Sequence, residues 1–62
     1  MTYEVIDLVS SNTIAFFDFE TEAWKCVRGA PVERQETLAV VALDDRGMAQ
    51  WCKLSEDDEV SL

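Results

Sequence analysis

Sixty-two residues with a formal net charge of −8 suffice for one small domain. The five bases, Lys25, Arg28, Arg34, Arg46 and Lys53, are scattered among thirteen acids. That excludes both the basic stripe that direct nucleic-acid binding needs and the polybasic cluster that an anionic membrane attracts.

The chain reads as short apolar runs separated by polar turns. The first run, "TYEVIDLV" (residues 3–9 apart from its opening Thr2), is β-branched enough for a strand, although Val5, Leu8 and Val9 also suit one helical turn. Ser10 to Asn12 break it. In "TIAFFDFETEAWKCVRG", alternation sets Ala15, Phe17 and Phe19 on one face and Ile14, Phe16 and Asp18 on the other, as in a strand. A turn near Glu20 to Glu22 then returns the chain through "AWKCV". The spacing of Asp18, Thr21 and Trp24 resembles the hairpin of a kelch-type propeller blade. One blade cannot close a propeller, so the resemblance implies only the hairpin. A short helix near 21–28 competes, because Glu22, Ala23 and Lys25 favour helices.

Gly29 and Pro31 mark a loop. "TLAVVAL" is a buried strand, and "DDRG" suits a type I turn with Gly47 in the left-handed position. "MAQWCKL" returns as its partner, making a hairpin over Leu38 to Leu54. The acidic segment 55–62 is either a frayed tail or one helical turn capped by Ser55. Together these elements predict an all-β domain spanning 1–62: a four- to five-stranded antiparallel sheet curled into an SH3-like barrel. The alternative is an α+β fold with the helix at 21–28.

The chemical inventory is thin. There is no histidine, hence no near-neutral general base and no imidazole metal ligand. Cys26 and Cys52 lack metal or redox spacing, and no phosphate-binding glycine motif or calcium loop occurs. The expectation is a protein that is not an enzyme and takes no cofactor or metal. The opening "MTYEVIDLVSS" has neither a basic start nor a long apolar run, and each cysteine sits beside an apolar residue; both features suggest free thiols in the cytoplasm.

Partner binding remains. Asp18, Glu20 and Glu22 would line one face at about 6.6 Å intervals if extended. With Asp44, Asp45, Asp57 and Asp58 they give the composition of small acidic proteins that imitate nucleic acid, among them phage inhibitors. A turn kept soluble by charge is the competing reading. Phe16, Trp24 and Trp51 supply aromatic anchors of the kind that dominate interfaces. These ten residues are the candidate site, for a basic protein partner. Self-association into a homodimer, through an exposed strand or an apolar sheet face, is the second reading.

Overall fold

In the computed structural model, which describes residues 1–55, four strands pair in the order β2-β1-β3-β4, each neighbour antiparallel. The strands are β1 (Thr2–Asp7), β2 (Asn12–Phe17), β3 (Leu38–Leu43) and β4 (Ala49–Lys53). Two helices, α1 (Glu20–Arg28) and α2 (Val32–Gln35), interrupt them between β2 and β3. Among the described residues the sheet stays open, with β2 and β4 at its edges, and it does not close into the expected SH3-like barrel.

The segment expected to return as a hairpin is a helix instead, as in the α+β alternative with a helix near 21–28. Its local preference explains the outcome. Glu22, Ala23 and Lys25 are strong helix formers. Acids at 20 and 22 sit at the positive end of the helix dipole, and Lys25 and Arg28 at the negative end. Ala23, Trp24 and Val27 then fall on one stripe at 3–4 residue spacing and are buried together. The kelch-like hairpin is therefore absent. Thr21 lies within the helix, Asp18 in the bend before it, and Trp24 inside the core.

That core joins Trp24, Ala23 and Val27 to Val5, Leu38 and Val40 on one face of the sheet. Trp24 is only 2% exposed, and its indole N–H donates to Glu20 Oε2 at 2.9 Å, one turn earlier. Burial of a tryptophan with its polar atom satisfied removes the cost of hiding that N–H. Tyr3, Phe17 and Trp51 pack around the edge of the cluster.

Two turns close the hairpins. At the β3–β4 turn, Asp44 Oδ1 accepts the amides of Arg46 and Met48, both at 2.9 Å. Gly47 adopts φ +79 there, the left-handed conformation expected of this glycine. At the β1–β2 turn, Asp7 Oδ1 accepts the Val9 amide at 2.9 Å, while Arg34 Nη2 from α2 donates to Oδ2 at 3.0 Å. Asp7 thus ties a hairpin turn to the second helix.

Candidate functional site

Side chains alternate across a strand, so the register sorts the sheet into two faces. Tyr3 pairs with Phe17 and Ala42, and Val5 with Ala15 and Val40; these share the face that α1 covers. Among the described residues no helix covers the other face. A row runs across all four strands there: Phe16 on β2, Glu4 on β1, Val41 on β3 and Cys52 on β4. Ile6 and Leu43 lie on the same side and are half-buried, and Ala39, opposite Ile6, is fully buried.

Phe16 is the most prominent group of this row, 59% exposed. Beside it, the β1–β2 register slips from Val5–Ala15 to Ile6–Thr13, a bulge that leaves Ile14 without a cross-strand partner. Ile14 is 46% exposed. Glu4 is the charged member of the row, and the Thr13 hydroxyl donates to its Oε2.

The ten sequence-predicted residues are not brought together. Phe16 stands on the open face. Asp18, Glu20, Glu22, Asp44 and Asp45 gather at one end of the molecule: β2 ends at Phe17, β3 ends at Leu43, and β1 lies between them with Thr2 opposite Leu43. Two strand spacings, roughly 10 Å, separate the β2 and β3 exits. The evenly spaced carboxylate ladder imagined for 18–22 does not exist, because Glu20 and Glu22 are helical and Glu20 binds the Trp24 indole. Asp44 is committed to its turn, accepting also from Gln50 Nε2 at 3.1 Å. Asp18 and Asp45 are exposed.

The tryptophans do not share a surface. Trp24 belongs to the core. Trp51, on the helix-side face, is half-buried, with the Tyr3 ring centroid 6.0 Å away and Lys53 Nζ 4.5 Å above its own ring. Asp57 and Asp58, with the rest of the acidic segment from residue 56, lie outside the described residues.

The sequence reading missed Glu4, Val41 and Cys52. The signal was present: in "TYEVID", period-two alternation places Glu4 opposite Tyr3 and Val5.

Other chemistry is sparse. A hollow of about 470 Å³ opens between α1, α2 and the chain after β4, floored by Trp24, Val27, Val32 and Leu54. Among the described residues its lining offers a single carboxylate, Glu36, and no thiol. Among the described residues no cluster of acids and cysteines is placed to hold a metal ion, and no helix is long and apolar enough to cross a membrane. Cys26 and Cys52 are both free, on opposite sides of the sheet.

Comparison with known proteins adds no relative: no family model matches the chain, no curated protein matches its sequence, and no solved structure matches its fold.

Proposed function

We propose that this domain is a non-catalytic interaction module that presents the open face of its sheet to a basic protein surface. The observation that carries the reading is a sheet face that no helix of the described residues covers, holding an exposed phenylalanine, with exposed carboxylates at one end of it. An exposed aromatic on an apolar patch is the usual anchor of an interface. Acidic groups beside it steer a basic partner and raise the association rate. Occupying a surface that otherwise holds nucleic acid, as an inhibitor does, is the narrower form of this reading, and the free cysteines suit the reducing cytoplasm.

The test is capture from the source cell at low and high salt, with wild type, Phe16→Asp and Asp18→Asn/Asp45→Asn run side by side. A basic protein that is held at low salt, released at high salt and lost with Phe16→Asp supports the reading. Capture indifferent to salt and to both variants refutes it.

A further inference from the structure

Glu4 occupies the middle of β1, one of the two inner strands, with Phe16 on one side and Val41 on the other. Packed sheet faces lie roughly 10 Å apart. Any pairing of two copies through the open face therefore encloses both Glu4 side chains. The Thr13 hydroxyl satisfies one oxygen, but one neutral hydrogen bond does not replace the hydration of a full charge.

Among the described residues no lysine or arginine of the four strands lies on the open face, so a second copy offers no strand cation to Glu4. Among the described residues, Lys53 projects to the other side over Trp51, and Arg46 belongs to the β3–β4 turn. Enclosing a carboxylate without an opposite charge is strongly unfavourable.

We propose that Glu4 decides what the open face accepts: it bars a second copy of this chain and reserves the face for a partner whose apolar patch carries a lysine or arginine. The cationic half of this statement rests on the function proposed above; the bar to self-pairing does not.

Sedimentation velocity of the whole chain, at neutral pH over a wide concentration range, tests the bar. Wild type and Thr13→Val, which keeps the charge and removes the hydrogen bond, remain monomers. Glu4→Leu doubles the sedimenting mass. Glu4→Gln, which keeps the side chain's shape, shifts the same way to a smaller extent. Adding Phe16→Glu to Glu4→Leu restores the monomer. A wild-type dimer that Phe16→Glu dissolves overturns the proposal, as does a Glu4→Leu protein that stays folded and monomeric throughout.

Chemical-shift mapping with two small probes tests the cationic half. Butylguanidinium moves the amide signals of Glu4, Phe16 and Val41, and Glu4→Gln abolishes that movement, whereas pentanoate leaves them in place. Equal response to both probes overturns it. A monomeric Glu4→Leu leaves the basic-partner reading to its own capture experiment, and failed capture leaves the sedimentation result standing.

Discussion

Asp7 shows how much one carboxylate can organise in a domain this small. Its carboxyl is held below the usual carboxylate value, foremost by the Val9 amide, with Arg34 and the Ser10 amide adding to the effect and burial opposing it. A carboxyl more acidic in the folded than in the unfolded chain stabilises the fold above its unfolded-state value. That contribution disappears as the pH falls through the folded-state value. Replacing Asp7 by Asn should therefore lower the melting temperature at neutral pH and flatten its decline on acidification. Parallel melting curves for the two proteins from neutral to acid pH would show that Asp7 contributes nothing pH-dependent. Because the Val9 amide is the largest influence, Arg34→Ala should alter the acid limb less than Asp7→Asn does.

At the scale of elements, the strands and turns were legible because each rests on local chemistry. "TLAVVAL" and "MAQWCKL" flank a turn whose glycine has the predicted positive φ, and the hairpin lies where it was expected. The helix near 21–28, the alternative to the hairpin, was hard to choose from sequence for a physical reason. Residues 14–24 hold a strand pattern and a helical pattern end to end, and no cap separates them. Phe19 stands at the N-cap of α1 in extended conformation, φ −125 and ψ 138, without a side-chain hydrogen bond to the first turn. Serine or aspartate there would have announced the helix. Phe19→Ser supplies the missing acceptor and, with Glu22 three residues on, completes a capping box. The Phe19 ring is 64% exposed, so its removal leaves no cavity. Chemical denaturation should find the variant about 1 kcal/mol more stable; an unchanged or lowered midpoint would mean that the ring contributes more where it is than a cap would. The candidate site was only partly legible, since it depends on which sheet face α1 covers. That choice follows from long-range burial of Trp24 against Val5 and Val40, which no local pattern encodes.

At the scale of the molecule, the charge is arranged rather than uniform. Five acids, Asp18, Glu20, Glu22, Asp44 and Asp45, collect at the end distal to α2 with Arg46 of the β3–β4 turn among them, while Lys25 and Arg28 occupy the last turn of α1 and α2 carries Arg34 beside Glu33. Such polarity orients an approaching basic partner before contact, an effect that salt screens over about 10 Å at moderate ionic strength. The open face, with Phe16 exposed beside Glu4, then supplies the contact itself.

The strand order has a further consequence, for how the chain could be divided. β1 pairs with β2 and β3 with β4 through short turns, while β1 and β3 are the one strand pair joined across both helices. The fold is thus two hairpins joined along a single seam, with exposed Gly29 and Pro31 in the connection. Exposed connections of this kind tolerate cutting. A peptide of residues 1–29 and one of 30–62 should each be poorly ordered alone and should reassemble when mixed, with Trp24 emission shifting to the blue as Val40 returns to it. Fragments that stay unstructured together would show that continuity through Gly29 and Pro31, rather than the seam, carries the stability. If they recombine, the domain is a ready split reporter whose two halves meet through strand pairing.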